Sequence, residues 1–367
     1  MTAMISCPEV LVGLVGHNPA SLLVVARSLS PKRTLLIATP QTIEIAKRLA
    51  RQIPNSEPKL WSGGFGIDRV RSGLSDLIGS ESGSICLDIT GATKPLSIGL
   101  WATLNQSSGG RLKTVYLEPS GQLTDADTGQ RIEHEVAIAP REMLVWYEAS
   151  AGLKKGATGA RWEGELSCLE PAIVQREALT RRLFDTFGGW TDCYRRNEPL
   201  PNDLLQLSAK DLPPGASISG NQVVLPDVTD YLGANHWLEE YCALVSRDSL
   251  TDAPTVRAAI GLPIATESGG SDEADVVLLR GPRAVIIEAK ARGKAGGAGT
   301  DMNKRIQKAR RFFGSLARVI FVHPAWGQTV PQDLAEIAGP GVWLVGRDPA
   351  RLRTAIREAL SLPDAME

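Results

Sequence analysis

Three ionisable side chains flank two apolar runs in one stretch of the sequence. Asp275 precedes the apolar run 276–279. Glu288 and Lys290 follow a second apolar run, at 284–287. Two carboxylates can hold a hard divalent cation such as Mg²⁺ or Mn²⁺, which prefers oxygen ligands. The metal can activate a water and neutralise a phosphodiester, while an ammonium group orients that water or stabilises developing charge. This set of residues is therefore typical of a metal-dependent nuclease.

The two apolar runs predict a β-hairpin, because the Gly-Pro sequence at 281–282 favours a turn between them. Residues i and i+2 of a strand project to the same face, so Glu288 and Lys290 point the same way. Pairing across the turn brings Asp275, at the start of the first strand, alongside them. The other Glu-x-Lys sequence, at 57–59, contains a proline and predicts a loop without function. The alternative for the hairpin is a solvated, salt-bridged end, since charges at strand ends are ordinary.

A further carboxylate is expected from the helical pattern at residues 235–245. The apolar stripe consists of Leu238, Tyr241, Cys242 and Val245. Glu239 lies at the edge of this stripe and Glu240 faces away from it, so Glu239 is the stronger candidate for the site. The alternative is that both glutamates lie on the surface of an amphipathic helix.

The hairpin resembles the signature of the PD-(D/E)xK nucleases at Asp275, Glu288, Ala289 and Lys290. Ala274 stands where that signature has its proline. The resemblance implies that the two carboxylates bind the metal with the carbonyl of Ala289, that Glu239 assists, and that the lysine aids the attacking water. It also implies a restriction-endonuclease-like domain with the element order αβββαβ and a core at about 230–350.

Basic residues are concentrated after the hairpin. The stretch 289–318 holds nine lysines and arginines against a single acid, Asp301. Residues 303–313 are predicted to be helical, and Lys304, Arg305 and Lys308 on this helix are candidates for binding a polyanionic substrate. The alternative is an ordinary solvated helix face.

Composition limits the class of protein. A length of 367 residues suggests two domains, and a net charge of −1 means that any basic surface is local. Five scattered cysteines without a Cys-x-x-Cys pair favour reduced thiols and argue against a zinc site or a disulfide framework. The sequence contains no signal peptide and no run of membrane-spanning length, so we expect a cytoplasmic protein without membrane contact.

The N-terminal part predicts a doubly wound, Rossmann-like α/β domain. Strands are expected at 10–15, 34–38, 85–89 and 113–117, and a polar turn and a helix follow each of the first three. Ligands of such sheets bind beyond the carboxyl ends of the strands. The candidate ligand-binding residues at that edge are Gly16, His17, Asn18, Thr39, Thr90, Gly91, Ala92, Thr93 and Lys94.

The loop 88–95 has the residue types of a phosphate or ribose cradle. It combines two threonine hydroxyls, a glycine, a lysine and the start of a helix. The sequence contains neither a Gly-x-Gly-x-x-Gly motif after the first strand nor a Walker A motif. From the residues alone, an ordinary strand-to-helix turn is an equal alternative.

The loop sequence Asp-Ile-Thr-Gly-Ala-Thr-Lys is similar to the Asp-x-Thr-Gly-Gly-Thr-Lys motif of CARF domains, with Ala92 in place of the second glycine. CARF domains are the sensor modules of type III CRISPR systems and bind cyclic oligoadenylates. The similarity covers roughly 8–145. It divides the chain into a sensor domain at 1–147 and a connecting region with the nuclease domain at 148–367.

Together the two motifs resemble the CRISPR type III ancillary nucleases that cyclic oligoadenylates activate. This implies a homodimer, since one cyclic tetra-adenylate ring can lie across two identical loops at a two-fold axis. The substrate is then DNA, RNA or both. Two alternatives remain: a ring nuclease whose CARF domain cuts the activator, and a nucleotide-sensing transcription regulator with a non-catalytic DNA-binding domain.

The middle of the chain is less regular. A strand is expected at 132–138, a glycine-rich basic linker at 152–164, and a short amphipathic helix at 177–187. Residues 213–226 predict a loop and a hairpin.

Overall fold

The computed structural model of the protein describes most of the chain. The described residues are 7–63, 73, 83–91, 93–118, 121–134, 136–144, 149–150, 160–196, 198–226, 229–253, 255–266, 271–291, 298–314, 316–327 and 329–362. They form two seven-stranded sheets and one three-stranded sheet.

The first sheet contains β1 (Val10–Val15), β2 (Arg33–Ala38), β3 (Ser56–Leu60), β4 (Ile85–Asp88), β5 (Leu112–Leu117), β6 (Leu123–Asp125) and β7 (Arg131–Ile132). Its helices are α1 (Ala20–Leu29), α2 (Ile43–Ala50), α3 (Lys94–Ser107) and α4 (Pro140–Leu144). The strand order is β3-β2-β1-β4-β5-β6-β7, and the strands from β3 to β5 are parallel. The order reverses between β1 and β4, so the predicted doubly wound sheet is confirmed.

Two details of this sheet differ from the sequence prediction. The stretch 57–59 is not a loop, because it lies within β3 at the edge of the sheet. An edge strand tolerates proline, since one side of its backbone needs no partner. The strand expected at 132–138 ends at Ile132, where β7 finishes after two residues.

The second seven-stranded sheet contains β8 (Ala149–Ser150), β9 (Trp162–Glu165), β13 (Arg257–Thr266), β14 (Ser271–Arg280), β15 (Arg283–Ala289), β16 (Arg318–Val322) and β17 (Val342–Val345). The small sheet contains β10 (Leu200–Pro201), β11 (Ser217–Ser219) and β12 (Gln222–Val224). The remaining helices are α5 (Pro171–Gln175), α6 (Glu177–Asp185), α7 (Phe187–Arg195), α8 (Asn202–Leu205), α9 (His236–Ser249), α10 (Ala298–Phe313), α11 (Gln332–Ile337) and α12 (Pro349–Ala359).

The elements α9, β13, β14, β15, α10 and β16 follow one another, which confirms the predicted αβββαβ order. The predicted hairpin is β14 and β15, joined by a turn in which Gly281 has a φ of +54°. Because β14 begins at Ser271, Asp275 lies in the middle of its strand and not at the start.

The middle region contains more structure than the sequence indicated. The end of the expected linker 152–164 is strand β9, which pairs with β13, whereas 151–159 lie outside the described residues. The hairpin expected within 213–226 is confirmed as β11 and β12. The short helix expected at 177–187 is confirmed as α6.

Helix α9 is the central helix of the second sheet. Its Trp237, Tyr241 and Val245 belong to one apolar cluster with residues of β14, β15 and α12. The opposite face of the sheet joins a second cluster, which continues through Met143 and Leu144 of α4 to the helices of the first sheet. No helix in the described part of the chain is both long and apolar enough to cross a membrane.

Candidate active site

The backbone after Glu288 holds Asp275 in place. Asp275 Oδ2 accepts a hydrogen bond from the Ala289 N–H at 2.8 Å and another from Lys290 Nζ at 2.9 Å. Val276 pairs with Ile287, so the next position in the same register sets Asp275 opposite Glu288. The structure therefore brings together the acids and the lysine that the sequence singled out.

Glu288 is buried beside Asp275, with an oxygen that is not hydrogen-bonded. Only 3 % of the residue is exposed, and its Oε2 accepts no hydrogen bond from the described residues. Two cations lie nearby, with Arg305 Nη1 at 3.4 Å and Lys290 Nζ at 3.6 Å from Oε2. Burial and the charge of Asp275 raise the pKa of Glu288 to about 7, against the opposing effect of the cations. Such a carboxylate gains from a further positive charge.

Lys290 acts as a cation at this site. Burial lowers the pKa of its ammonium, but Asp275 and Glu288 offset this, so the pKa lies above its usual value. The side chain therefore keeps its proton at neutral pH. It can orient a water or stabilise negative charge.

Glu239 lies within the electric field of the hairpin carboxylates. It is 4 % exposed and forms an ion pair with Arg161, which stands just before β9. Burial raises the pKa of Glu239 to about 8; Arg161 opposes this shift, and Asp275 and Glu273 add to it. The mutual effect of these acids supports the choice of Glu239 as the helix carboxylate.

The alternative of two surface glutamates on α9 is wrong. Glu240 is also buried, at 2 % exposure, and accepts a hydrogen bond from Arg176 Nε at 3.0 Å. The apolar periodicity indicated one buried face, but other elements cover α9 on nearly all sides. A buried glutamate requires a partner, and each of these two has an arginine.

Helix α10 directs two of its three candidate cations toward the hairpin. Arg305 lies near Glu288 and also 3.4 Å from Asp272 Oδ1. Lys308 forms an ion pair with Asp272 and donates to the Glu273 carbonyl at 3.2 Å. Lys304 is exposed. The three residues therefore occupy two different environments.

Sequence reasoning missed the acids that precede Asp275. Burial and the charge of Asp275 raise the pKa of Glu273, while the cations of α10 pair with Asp272. Both acids were visible in the sequence, but the strand was expected to start at Asp275, so the alternation that places Glu273 on the same face was not applied to them. Arg161 carried no signal, because its stretch was expected to be a linker.

The described residues fit a divalent cation. Among them, no set of three or more histidine, cysteine, aspartate or glutamate side chains is close enough to form a complete ligand cluster. A paired acid set and the Ala289 backbone are nevertheless present, and the Glu288 Oε2 atom is buried without a hydrogen bond. Oxygen donors of this kind suit Mg²⁺ and Mn²⁺, which complete their coordination with water and substrate.

A second candidate site lies at the carboxyl edge of the first sheet. A Cβ atom on Gly16 would lie 2.0 Å from the Gly91 carbonyl oxygen, and one on Gly91 would lie 2.6 Å from the Leu14 oxygen. The loops after β1 and β4 therefore pack backbone against backbone, and only glycine fits at these two positions. They meet where the strand order reverses, which is the usual ligand crevice of such sheets.

The Thr90 side chain links strands β4 and β5 below this crevice. Its hydroxyl donates to Asp88 Oδ1 at 2.5 Å and accepts from the Leu117 N–H at 2.8 Å, which ties β4 to β5. Burial raises the pKa of Asp88 to about 6, although the hydrogen bonds from Thr90 act in the opposite direction. The Thr90 hydroxyl is thus engaged within the fold.

The other predicted residues follow the carboxyl ends of β1, β2 and β4. Thr93 and Lys94 are exposed at the N-terminus of α3, and the Thr93 hydroxyl makes no capping hydrogen bond. Asn18 Oδ1 has no hydrogen-bond partner among the described residues. The Thr39 N–H donates to the Thr42 hydroxyl at 3.1 Å. His17 is exposed, and Ala92 lies outside the described residues.

Comparison with solved structures identifies the fold. The chain superposes on Can2 from Sulfobacillus thermosulfidooxidans in complex with cyclic tetra-adenylate, with a TM-score of 0.66 and 15% identity over 96% of this chain and 97% of that chain. This chain has the Can2 fold. Protein VC1899 from Vibrio cholerae gives a TM-score of 0.69, with 15% identity over 96% of this chain and 97% of that one.

A third structure has the same fold over part of its length. It is a type III CRISPR defence DNA nuclease activated by cyclic oligoadenylate, with a TM-score of 0.56 and 15% identity over 95% of this chain and 49% of that chain. No protein-family model and no curated protein sequence matches the chain. The similarity to Can2 confirms the expected fold class, with a doubly wound α/β sheet followed by a second sheet in the order αβββαβ.

Proposed function

We propose that the protein is a divalent-metal-dependent nuclease that a cyclic oligoadenylate activates, most simply cyclic tetra-adenylate. One observation carries the catalytic part. Asp275, Glu288 and Lys290 converge at the middle of a sheet, with Glu288 buried and its Oε2 without a hydrogen bond. The nearest cations, Arg305 and Lys290, stay 3.4 and 3.6 Å from that oxygen and do not hydrogen-bond it, which leaves it available to a metal ion.

The chain's own residues suit each task of phosphodiester hydrolysis. Asp275, Glu288 and the Ala289 carbonyl would hold Mg²⁺ or Mn²⁺, with Glu239 as a further ligand. When bound, the metal supplies an activated water and neutralises charge on the phosphodiester. Lys290 orients the nucleophile from the same strand, and Arg305 lies close enough to stabilise negative charge on the substrate.

The sensor crevice suits an activator that carries several phosphates. Lys94 provides positive charge at the start of α3, and the hydroxyl of the exposed Thr93 adds a polar contact. Gly16 and Gly91 let the backbone approach a ligand closely. Thr90 and Asp88 position the loop.

The shape of the activator and the surface of α3 support a homodimer. Ile98 and Trp101 are 54% and 43% exposed, one helical turn apart on the helix that begins at the crevice. Large apolar side chains at such spacing favour a partner surface, and a second copy would place two crevices around one symmetric ring. We assign the sensor to 1–147 and the nuclease with its connecting region to 148–367, in a cytoplasmic protein.

The test is a cleavage assay with matched substrates. The protein is incubated with Mg²⁺ or Mn²⁺ and supercoiled DNA or single-stranded RNA, with and without cyclic tetra-adenylate or cyclic hexa-adenylate. We expect cleavage of at least one substrate that requires both a metal and one of the rings. Cleavage that persists in the Glu288→Gln variant, or no cleavage under any of these conditions, would refute the proposal.

A further inference from the structure

Arg161 places a positive charge among the acids of the active site. Its guanidinium pairs with Glu239, and its Nε is buried without a hydrogen-bond partner among the described residues. The same guanidinium charge lowers the pKa of Glu273 against the larger effect of burial. Arg161 thus occupies the neighbourhood in which a bound metal would also interact with Glu239.

A glycine makes room for this arginine. Ile260 of β13 pairs with Trp162 of β9, which places Arg161 beside Gly261. A Cβ atom on Gly261 would lie 2.7 Å from Arg161 Nε and 3.2 Å from Glu273 Oε1. Gly261 has a φ of +60° and lies across from Asp275, between two paired positions of β13 and β14. Because Gly261 has no side chain, the Arg161 side chain can pass over its backbone to reach the acids.

The neighbouring glutamate of α9 provides an internal comparison. Arg176 donates to Glu240 from Nε at 3.0 Å, in a buried pair that also contacts the Tyr231 ring. The field of Asp275 and Glu273 acts on Glu239. Two consecutive residues thus carry arginine partners, but only the pair of Arg161 and Glu239 belongs to the active site.

We propose that Arg161 is an internal counter-cation that competes with the divalent metal for Glu239, so that metal loading requires the arginine to withdraw. This inference rests on the proposed nuclease function. A guanidinium and a metal ion repel each other, and one carboxylate cannot serve both at full strength. When Glu239 is ionised and the metal is absent, the arginine compensates its buried charge.

Strand β9 connects this competition to the sensor. Glu163, two residues after Arg161, accepts a hydrogen bond from the Arg141 backbone N–H at 3.1 Å and pairs with the Arg141 side chain. In the same helix α4, Glu142 Oε1 accepts from Arg27 Nη2 of α1 at 2.6 Å. The Glu142 carbonyl accepts from Gln52, just after α2, at 3.3 Å.

These contacts form a continuous route from the sensor helices to the strand that carries Arg161. A shift of α4 when the activator binds would move β9 and draw Arg161 away from Glu239. Coupling of this kind is reciprocal, so the activator raises the affinity for metal and metal raises the affinity for the activator by the same factor.

The test measures Mn²⁺ binding by calorimetry at about pH 8.5, where protons compete weakly, with and without saturating cyclic tetra-adenylate. We expect the activator to raise the Mn²⁺ affinity of the unmodified protein by about fivefold or more, the usual range of allosteric coupling. In Arg161→Gln the ratio of the Mn²⁺ affinities with and without activator should fall to about one. In the control Arg176→Gln, which removes the neighbouring pair, it should stay as in the unmodified protein.

A second variant tests the route separately. Glu163→Gln weakens the contact between β9 and α4 but keeps Arg161, so the Mn²⁺ affinity should stay low with and without activator. If Arg161→Gln retains the full ratio, or if the unmodified protein binds Mn²⁺ equally well in both states, the competition does not exist, while the nuclease function stands. If no variant binds Mn²⁺ in either state, the proposed function itself fails.

Discussion

Glu288 is held in the fold at a cost to stability. Its pKa of about 7 lies above the usual 4.5 because of burial and the charge of Asp275. A glutamate with a raised folded pKa is tolerated best in its neutral form, so its cost to stability grows as the pH rises from about 4.5 and is complete above about 7. A residue that is costly in the metal-free protein and suited to a cation is typical of a functional site.

We therefore predict opposite effects of Glu288→Gln on stability and activity. At about pH 8 without metal, the variant should be more stable than the unmodified protein, because it removes a buried charge. Its unfolding temperature should rise, and its free energy of unfolding should increase by on the order of 1–3 kcal/mol. Its cleavage rate should fall by about 10²–10³, the usual effect of losing one preorganised electrostatic group. Calorimetric unfolding in chelator and a cleavage assay with Mn²⁺ provide the two measurements.

The exposed pair of Glu44 and Lys47 on α2 supplies the control for this comparison. Glu44→Gln should leave both the unfolding temperature and the cleavage rate near those of the unmodified protein. Destabilisation by Glu288→Gln at about pH 8 would identify Glu288 as a structural ion-pair partner.

Metal affinity should rise with pH. Burial raises the pKa of Glu239 to about 8 and that of Glu288 to about 7, so both carboxyls hold protons below these values when the metal is absent. Metal ligation requires the charged form, and each protonated ligand must release its proton. The Mn²⁺ affinity should therefore increase from about pH 6 to about pH 9, with proton release countable by calorimetry in two buffers. In Glu239→Gln the rise should end nearer pH 7, and a flat profile in the unmodified protein would exclude both acids as ligands.

Some residues of the candidate site could be predicted from the sequence and others could not. The convergence of Asp275, Glu288 and Lys290 was predictable, because strand alternation and one turn determine it. The contribution of Arg161 was not predictable, since it depends on a strand pairing far along the chain and on the bare backbone of Gly261.

Among the elements, helix α10 should contribute different residues to catalysis and to substrate binding. Arg305 lies 3.4 Å from Glu288, whereas Lys304 is exposed. Arg305→Ala should lower the rate at saturating substrate. Lys304→Ala should instead weaken substrate binding and reduce the log–log dependence on salt by roughly 0.7–0.9 if it contacts one phosphate. Binding measured across salt concentrations, with turnover at saturation, checks both, and equal effects on both quantities would contradict this division.

The two threonines of the sensor loop should also differ in effect. Thr90→Val removes the hydroxyl that joins Asp88 to the Leu117 N–H, and should destabilise the protein by about 1–3 kcal/mol. Thr93→Val should leave the unfolding temperature unchanged and weaken activator binding, because its hydroxyl makes no capping bond. Thermal unfolding and calorimetric titration of cyclic tetra-adenylate distinguish the two. Equal unfolding temperatures would show that the Asp88 bridge contributes nothing.

Elements were predictable where local periodicity and burial agree. Strands β1, β2 and β4 and helices α1, α2 and α3 follow apolar runs and polar turns, so their positions agreed closely with expectation. Strand β3 was missed because Pro58 normally interrupts a strand, and an edge position permits it. Helix α9 was expected to be amphipathic, but neighbouring elements cover it on nearly all sides, which no local pattern reveals.

For the whole molecule, the proposed activation by a cyclic oligoadenylate requires that the crevice at α3 be coupled to the hairpin in the other sheet. One apolar cluster runs from the helices of the first sheet through Met143 and Leu144 to β14 and β15. Packed cores change between discrete arrangements and do not deform continuously, so this contact can transmit a shift. Gating by one symmetric ring also requires that two sensor crevices meet.

Different substitutions should therefore disrupt dimer assembly and activation. Moving the population from about 1% to 99% active requires the activator to favour the active state by roughly 5.5 kcal/mol. Lys94 is the cation at the start of α3, and a charge-assisted hydrogen bond from it contributes about 1.5–3 kcal/mol in each of two copies. Lys94→Ala should thus abolish activation but keep the dimer. Trp101→Glu, which charges the exposed face of α3, should give a monomer that binds the ring poorly.

Sedimentation velocity and calorimetric titration of cyclic tetra-adenylate measure these two properties in the same samples. Glu288→Gln, measured in chelator without divalent metal, is the matched control, because it alters the other domain and should dimerise and bind the ring as the metal-free unmodified protein does. A dimer of undiminished affinity in Trp101→Glu would move the interface away from α3. Tight ring binding by Lys94→Ala would show that the preference of the activator for the active state, roughly 5.5 kcal/mol, comes from other contacts. Because a monomer presents only half of the contacts to the ring, loss of the dimer must weaken activation even when every residue of the crevice is intact.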